Sequence, residues 1–341
     1  MSILGAFPCN RIFRVLSAAL GICLADQHAL AQAAISEDSI EALEVEPNFY
    51  MIAGAGGNIA VCVGSDGVVM VDTGAADKAD VVLALIKRLT QQPIRYIINT
   101  SADPDHVGGN EKMSLAGMAI LPAGYQRAAL ENRDFAPILA EQHVQDRMAS
   151  WTGSQAVPNA AWPTLTYSIE SGERQRKMFL NGQGIQIVYQ PNAHSDGDSV
   201  VHFRRSDVIV TGDIMDLDHF PIVDSAVGGD IQGLIDSLNR ILDMSVSSTP
   251  FPYQEGGTLI IPGHGRLATT TELVEYRDMV TIIRDRVRDG ISKKKTLAQI
   301  QKANPAQGYN RRYGSDAGPA TAEAFVAAIY QDLTRKRAAR R

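Results

Sequence analysis

Five loops of the sequence combine aspartate or histidine with glycine or proline, and each loop follows directly on an apolar run. The residues that these loops carry are Asp72; Ser101, Asp103, Asp105 and His106; His194 and Asp198; Asp213; and His264. Polar loops at strand ends are where sheet proteins place functional side chains, because the strands hold the backbone rigidly. Imidazole nitrogen and carboxylate oxygen are common ligands of zinc and related divalent ions, and a catalytic site leaves one coordination position for water. If the loops converge, the sequence predicts such a site.

The elements that must position these loops alternate between strands and helices. Apolar and β-branched runs predict strands at 58–63, 68–71, 94–98, 185–189, 199–203, 208–210 and 259–261, and helical spacing predicts helices at 78–89 and 231–242. Residues 123–172 are typical of a helix followed by an irregular loop rather than a core strand, and the chain from 271 onward is helical and charged. Two runs of strands, each ending with helices, predict two packed sheets with helical layers outside, because each sheet face must be covered.

Taken in order, the five loops resemble the motifs of the metallo-β-lactamase superfamily. The hallmark of that family is an H-x-H-x-D-H loop after a strand, then a later histidine, a bridging aspartate or cysteine, and a final histidine in a P-G-H context. The resemblance runs from about residue 51 to residue 266. It implies an α+β fold, a four-layer αββα sandwich over residues 40–268, with a helical C-terminal extension over 269–341 packed on it.

The resemblance also implies which residues hold the metal. The second metal site of the family is complete, with Asp105, His106, Asp213 and His264. The first site is rewritten to S-x-D-x-D-H, because Ser101 and Asp103 stand where the family has two histidines, so that His194 and the bridging aspartate remain of its usual set. We therefore expect one zinc ion per chain at the second site, with iron or manganese as alternative divalent metals. His194 is either a ligand or a hydrogen-bond donor to the substrate or to a ligand.

Asp103 adds a third negative charge to those of Asp105 and Asp213, against two positive charges on a single cation. Three outcomes would relieve this excess. Asp103 takes up a proton, binds a second cation with harder, oxygen-rich ligation, or turns to solvent. We expect a mononuclear resting state in which Asp103 lies near the reacting water.

Other polar residues receive supporting or structural assignments. We expect Asp72, in the V-D-T-G turn, to orient the ligand loop rather than to bind metal, and Asp198 to fix the loop before it through backbone amides. His219 lies on a loop that the family places beside the cleft and is a candidate for substrate contact. His143 is expected to be exposed, and His202 to be a structural histidine on a strand.

The resemblance implies a metal-dependent hydrolase with a small-molecule substrate. A metal ion lowers the pKa of a bound water toward about 7, and Asp105 would orient that water and carry its proton to the leaving group. We expect an ester, lactone, thioester or amide-type bond, such as a β-lactam, to be cleaved. The competing hypothesis is a metal-containing binding protein that kept the fold and lost the chemistry. A third is oxygen chemistry on iron, since His/Asp sets bind iron too.

Composition and the N-terminus restrict location and partners. The net charge of -6 provides no basic field for nucleic acid. Arg11 and Arg14 precede an apolar stretch at 15–24 that is too short to span a bilayer, and small-x-small patterns follow at 29–33. We expect residues 1–33 to be a cleaved signal peptide and the mature chain to be periplasmic or secreted, without a membrane span. The mature chain would keep only Cys62 of the three cysteines and form no internal disulfide. The sequence does not indicate an oligomeric state.

Overall fold

Seven strands of the described residues form the first sheet, in sequence order. A computed structural model of the protein describes residues 40–120, 135–247, 256–315 and 318–339, so the predicted signal peptide lies outside the described residues. The strands are β1 (Glu41–Glu46), β2 (Phe49–Ala53), β3 (Ile59–Gly64), β4 (Gly67–Val71), β5 (Ile94–Ile98), β6 (Ile138–Glu141) and β7 (Leu165–Tyr167). β1 to β4 pair antiparallel, and β4 to β7 pair parallel. The parallel strands end at one edge, so the loops that follow β4, β5 and β6 lie side by side.

The second sheet holds β8 (Gln175–Leu180), β9 (Gln183–Tyr189), β10 (Ser199–Phe203), β11 (Val208–Asp216) and β12 (Leu259–His264). Their order in space is β12-β11-β10-β9-β8. β11 and β12 pair parallel and the other neighbours pair antiparallel. The loops that end β11 and β12 therefore leave the sheet at a common edge, as those of β4 and β5 do.

The two sheets pack face to face through apolar side chains from both. Phe49 of β2 and Phe203 of β10 meet edge to face, with ring centroids 4.7 Å apart, in a cluster that also holds Val69 and Ile187. These residues alternate along their strands with side chains that face outward, as a sheet with two covered faces requires. The main core thus lies between the sheets.

Helices cover the outer faces of both sheets. They are α1 (Ala79–Leu89), α2 (Pro104–Val107), α3 (Asn110–Leu115), α4 (Gln142–Ser150), α5 (Ile231–Met244), α6 (Thr270–Ser292), α7 (Leu297–Lys302), α8 (Asn310–Tyr313) and α9 (Ala322–Ala339). α1 buries Val82 and Ile86 against the first sheet, and α5 and α6 share a core cluster with the outer face of the second. This is the predicted four-layer αββα arrangement, with α6 to α9 as the helical extension. No helix among the described residues is long and apolar enough to cross a membrane.

The prediction of a helix followed by irregular loop over 123–172 is wrong for two short strands. β6 and β7 add to the first sheet inside this segment, although α4 lies there as a helix. β6 consists of only the four residues I-L-A-E, all of them buried. A run this short shows no period, and its burial between β5 and β7 comes from tertiary packing that the local sequence does not reveal.

Candidate metal centre

The strand-end loops converge at the common edge of the two sheets and bring six potential ligands together. They form two groups, and within each group the ligand atoms all lie within 4.8 Å of one another. The first group is Asp105, His106 and His264, and the second is Asp103, His194 and Asp213. The structure thus brings together every residue that the sequence analysis named as a metal or catalytic candidate. His219 belongs to neither group.

Asp213 joins the two groups. Its Oδ1 lies 3.0 Å from Nε2 of His106 and 3.3 Å from Nε2 of His264. The same His264 nitrogen lies 3.2 Å from Oδ2 of Asp105. Two imidazole nitrogens and two carboxylates therefore face a common point, which is the donor set that Zn²⁺ and related ions prefer.

His106 is held by Asp72, as predicted for that residue. The buried His106 ring directs Nδ1 at Oδ2 of Asp72, 2.8 Å away. Asp72 also accepts hydrogen bonds from the backbone N–H and the hydroxyl of Thr100, at 2.8 and 2.6 Å. Because Asp72 accepts a hydrogen bond from Nδ1–H, the neutral His106 ring directs the lone pair of Nε2 toward Asp213. Two such acceptors 3.0 Å apart need a proton or a cation between them, so the geometry fits a metal ion.

The electrostatics of this centre favour a positive charge. Burial lowers the pKa of His106, but the carboxylates of Asp213 and Asp72 outweigh burial and raise this pKa well above its usual value. His264 is similar: burial lowers its pKa, whereas hydrogen bonds to Asp105 and Asp213 raise it to about 10. Burial raises the pKa of Asp213, and the two histidines reverse this and hold it well below its usual value. In the absence of metal, protons supply the positive charge that a cation would bring.

The second group contains two buried polar atoms that face each other. Oδ2 of Asp103 lies 3.6 Å from Nδ1 of His194, and neither atom has a hydrogen-bond partner among the described residues. Burial raises the pKa of Asp103, and the charge of His194 opposes this rise. Since Oδ2 is buried while 32% of the Asp103 side chain is exposed, the expected turn to solvent does not hold for this oxygen. Protonation and a second cation remain.

The variant Asp103→Asn separates the two remaining outcomes. An asparagine keeps the shape of the carboxyl group but brings no charge, so it replaces a protonated Asp103 with little disturbance. With the mononuclear resting state that we expect, metal content stays near one ion per chain and kcat falls about tenfold, since Asp103 lies near the reacting water. Elemental analysis of wild type and variant is the measurement. A fall from two ions to one would instead show that Asp103 binds a second cation.

The loop of His194 is fixed by Asp198, as predicted. Asp198 is buried and accepts hydrogen bonds from the backbone N–H and the hydroxyl of Ser195, both at 2.7 Å. Oδ1 of Asp198 lies 3.7 Å from Nδ1 of His194. Asp198 therefore shapes the loop and adds negative charge beside His194 without being a member of either ligand group.

The other histidines that the structure describes, His143, His202 and His219, belong to neither ligand group. Nδ1 of His219 lies 3.3 Å from Oδ2 of Asp216, on the loop that follows β11. His143 is partly exposed, as expected, but its Nδ1 also lies 2.8 Å from a carboxylate oxygen of the buried Glu141, a contact that the sequence did not suggest. Nε2 of His202, on β10, lies 3.4 Å from Oδ1 of Asp207.

The sequence analysis missed Gly57 and Asn58, which connect the metal-binding loops. The amide N–H of Gly57 donates to the carbonyl of Asp105 at 3.0 Å. The Asn58 side chain donates to the carbonyls of Pro262 and Gly265, at 2.9 and 2.8 Å. Only the A-G-A-G-G-N run at 53–58 signals this role, because glycine repeats mark places where the backbone must approach a neighbour closely.

The variant Gly57→Ala is expected to weaken metal binding by about tenfold to a hundredfold. A Cβ at position 57 would lie 2.6 Å from ring atoms of His106, so the imidazole must move. Displacing a ligand from its position costs affinity on this scale. Chelator competition against the purified protein measures the change. Gly184→Ala is the matched control, because a Cβ there meets open space. Equal metal affinity in the wild type and Gly57→Ala would contradict the account.

Comparisons with known proteins agree with this geometry. The sequence profile described as the metallo-beta-lactamase superfamily matches residues 53–264, more than half of the chain, and the matched region includes both ligand groups. The comparison with curated proteins gave no match. The matched region thus begins at the end of β2 and closes on His264.

Solved structures share the fold at low sequence identity. The stereoselective inverting sec-alkylsulfatase Pisa1 from Pseudomonas sp. is 16% identical, with a TM-score of 0.59, and the alignment covers 86% of this chain and 50% of that one. This chain therefore spans about half the length of that relative. A metallo-beta-lactamase from Pontibacter korlensis is 16% identical, with a TM-score of 0.51, and the alignment covers 71% of this chain and 99% of that one.

These results confirm the family and the fold class that the sequence predicted. The αββα layers, the order of the loops and the profile match all agree. The chain belongs to the metallo-beta-lactamase superfamily.

Proposed function

We propose that the protein is a metal-dependent hydrolase that cleaves an ester, lactone, thioester or amide-type bond of a small molecule. The superfamily fold supports hydrolysis and divalent metal binding in general. The observation that carries the proposal is the position of Asp213, whose Oδ1 lies within 3.3 Å of Nε2 of both His106 and His264. Such convergence of distant loops brings the donors of a catalytic metal site to one point.

Asp105, His106, Asp213 and His264 would hold one zinc ion per chain, with iron or manganese as alternatives. When bound, this ion polarises the substrate and makes water a better nucleophile at neutral pH. The chain's own residues do the rest. The 2.8 Å contact of Asp72 with Nδ1 of His106 favours a proton on Nδ1, which would leave Nε2 available to the ion. The carboxylates of Asp105 and Asp213 lie within 3.3 Å of the imidazole nitrogens of His264 and, for Asp213, of His106, so these donor atoms could share one ion.

Asp105 is the proposed general base. Its carboxylate is partly exposed, and its Oδ2 lies 3.2 Å from Nε2 of His264. Burial raises the pKa of Asp105, but the hydrogen bond to His264 and the charge of His106 lower it below its usual value. An ionised Asp105 therefore accepts a proton from the attacking water and passes it to the leaving group. Asp103, in the second ligand group, would lie near the reacting water.

A second candidate function is a binding protein that holds metal without turnover. Ser101 and Asp103 favour it, because they stand where the resemblance leads us to expect two histidines, so that the first metal site of the family would be incomplete. Oxygen chemistry on iron is the third candidate, since the same donor set binds iron. The binding protein would not convert a substrate, and the iron enzyme would consume oxygen.

A substrate panel tests the proposal. The full-length protein is assayed on esters, lactones, thioesters and β-lactams. The form expected after removal of the signal peptide and export to the periplasm or beyond is assayed on the same substrates. The proposal predicts turnover of at least one class, loss of turnover with a chelator and recovery with Zn²⁺. Metal-loaded protein that cleaves none of these classes would favour the binding protein. Oxygen consumption that depends on iron would favour the redox function.

A further inference from the structure

The loop that follows β11 is held between a metal-binding loop and the C-terminal extension. On one side, the backbone N–H of Leu217 donates to the carbonyl of His264 at 3.1 Å. On the other side, the backbone N–H of Phe220 donates to the carbonyl of Tyr313 in α8 at 2.9 Å. Residues 217–220 are therefore fixed at both ends, by the metal centre and by the extension.

Buried aromatic rings strengthen the contact with the extension. Phe220 stacks on Phe325 of α9, with ring centroids 5.8 Å apart and planes 19° from parallel. Tyr313 lies 6.0 Å from Phe220 and 5.8 Å from Tyr276 of α6, centroid to centroid. All four rings are buried. Well-packed aromatic side chains of this kind hold a segment in one place, so α6, α8 and α9 set the position of this loop.

Asp218 is exposed on this loop, and beside it lies His219, whose ring can both donate and accept hydrogen bonds. His219 directly precedes the anchored Phe220, yet its side chain is 44% exposed. Its Nδ1 lies 3.3 Å from Oδ2 of Asp216, and its Nε2 has no hydrogen bond within the part of the chain that the structure describes. Because Leu217, two residues earlier, donates to the carbonyl of His264, the partly exposed His219 ring lies on a loop that borders the metal-binding loop.

Asp216 determines whether Nε2 of His219 donates or accepts a hydrogen bond. Oδ1 of Asp216 already accepts the backbone N–H groups of Asp218 and His219, at 2.8 and 2.9 Å. Oδ2 is left to face Nδ1 of His219, and a carboxylate accepts hydrogen bonds and does not donate them. The proton of the neutral imidazole therefore resides on Nδ1, and Nε2 becomes an acceptor.

We propose that the C-terminal extension is part of the substrate site, because it presents His219 as a hydrogen-bond acceptor for a hydroxyl or N–H group next to the bond that is cleaved. This inference rests on the proposed hydrolase function and narrows its substrate class. His219 contacts the substrate, Asp216 sets the tautomer of His219, and Phe325 is a positioning residue that acts through Phe220.

The variant Asp216→Asn tests the tautomer. The asparagine oxygen stays where two backbone N–H groups require an acceptor, so the amide nitrogen takes the place of Oδ2 and donates to Nδ1 of His219. The imidazole proton then moves to Nε2, which becomes a donor. We expect kcat/KM to fall about tenfold for a substrate with a hydroxyl beside the scissile carbonyl. The matched substrate with a methoxy group instead should not lose activity. An unchanged ratio between the two substrates would overturn the proposal.

A second pair of variants tests the role of the extension. Phe325→Ala removes the ring that stacks on Phe220, whereas Ile329→Ala opens a cavity one turn along the same helix, at another fully buried position. Both variants should lower Tm. Only Phe325→Ala should raise KM for the hydroxyl substrate, by about tenfold, while kcat and metal content stay near those of the wild type. Equal effects of both variants on KM would show that Phe325 only stabilises the fold and does not position His219.

A measurement without turnover separates failure of this inference from failure of the proposed function. In ¹⁵N-histidine-labelled full chain, assigned with His219→Gln, the ring nitrogen shifts report the tautomer directly. Wild type should carry the proton on Nδ1 and Asp216→Asn on Nε2. Lactate, a hydroxyl-bearing product of the expected kind, should shift Nε2, and 2-methoxypropanoate should not. A proton on Nε2 in the wild type, or equal shifts with both acids, would reject the inference even if hydrolysis is found.

Discussion

Replacing Asp213 by asparagine is expected to remove the tightly bound metal and reduce hydrolysis to the background rate. Oδ1 of Asp213 lies 3.0 Å from His106 Nε2 and 3.3 Å from His264 Nε2, and the same residue belongs to the second ligand group. An amide at this position brings no charge, so it cannot balance a cation held between two imidazoles. Metal affinity should fall by more than about a hundredfold, since even the partners that only orient a ligand cost up to that amount.

The matched control for this variant is Asp236→Asn. Asp236 is exposed on α5, where it accepts a hydrogen bond from Gln232, so its replacement makes the same change of charge away from the site. Elemental analysis after dialysis, with Tm as a check on folding, gives the metal content of both variants. The account would be wrong if Asp213→Asn kept the metal stoichiometry of the wild type.

Replacing Asp105 by asparagine is expected to lower kcat by about 10²- to 10⁴-fold, the usual contribution of general acid–base catalysis. KM should change little, because proton transfer acts in the transition state rather than in substrate binding. His106, His264 and Asp213 remain to hold the ion, so a metal-saturated variant can be compared directly with the wild type. The measurement is kcat and KM on whichever substrate class the wild type cleaves.

The control for Asp105→Asn is Asp103→Asn, two residues earlier in the same loop. Asp103 faces His194 at 3.6 Å instead of His264, and its replacement should reduce kcat only about tenfold. If the two variants lost equal activity, Asp105 would not be the specific proton acceptor. If Asp105→Asn retained full activity with its metal in place, the proposed mechanism would be incorrect.

Ser101 and Asp103 stand where the resemblance to the family leads us to expect two histidines. Ser101 contributes a hydroxyl that accepts the backbone N–H of Asp103 at 3.2 Å, and Asp103 contributes a carboxylate. A carboxylate oxygen in place of an imidazole nitrogen would make this half of the site harder and more negative. A single ion has less charge with which to stabilise an oxyanion than two ions have. We therefore expect a substrate with a reactive bond, or slow turnover.

The sequence was sufficient to predict the residues that meet at the centre. Asp105, His106, Asp213 and His264 each stand in a short motif at the end of an apolar run, and the order of these motifs restricts the fold to one family. The same local signals predicted the orienting role of Asp72 and the loop-fixing role of Asp198. Such predictions succeed because the chemistry needs particular residue types directly after a strand.

The contacts that hold the centre in shape were not predictable in this way. Asn58 bonds to the carbonyl of Pro262, which is 204 residues away in the chain. Asn99 and Asn110 exchange side-chain hydrogen bonds beneath the ligand loop, at 3.0 and 2.9 Å, and no motif marks either residue. β6 was missed for the same reason, because four buried residues acquire their strand pairing from neighbours that are distant in sequence.

The sequence predicted a role for His219 but did not predict its contact with Asp216. Position alone made His219 a candidate for substrate contact, but only the structure shows which of its nitrogens faces the carboxylate of Asp216. The aromatic anchor of Phe220 on α9 links residues more than 100 positions apart in the printed sequence. Specificity is therefore the property of this site that depends most on tertiary structure.

The most direct test of the central claim is metal content, measured together with activity on wild type and Asp213→Asn. We predict about one zinc ion per chain in the wild type, hydrolysis that depends on that ion, and the loss of both in the variant. A wild-type chain that binds no divalent ion after exposure to zinc, iron and manganese, or a variant that keeps its ion and its activity, would contradict the claim that Asp105, His106, Asp213 and His264 share one metal.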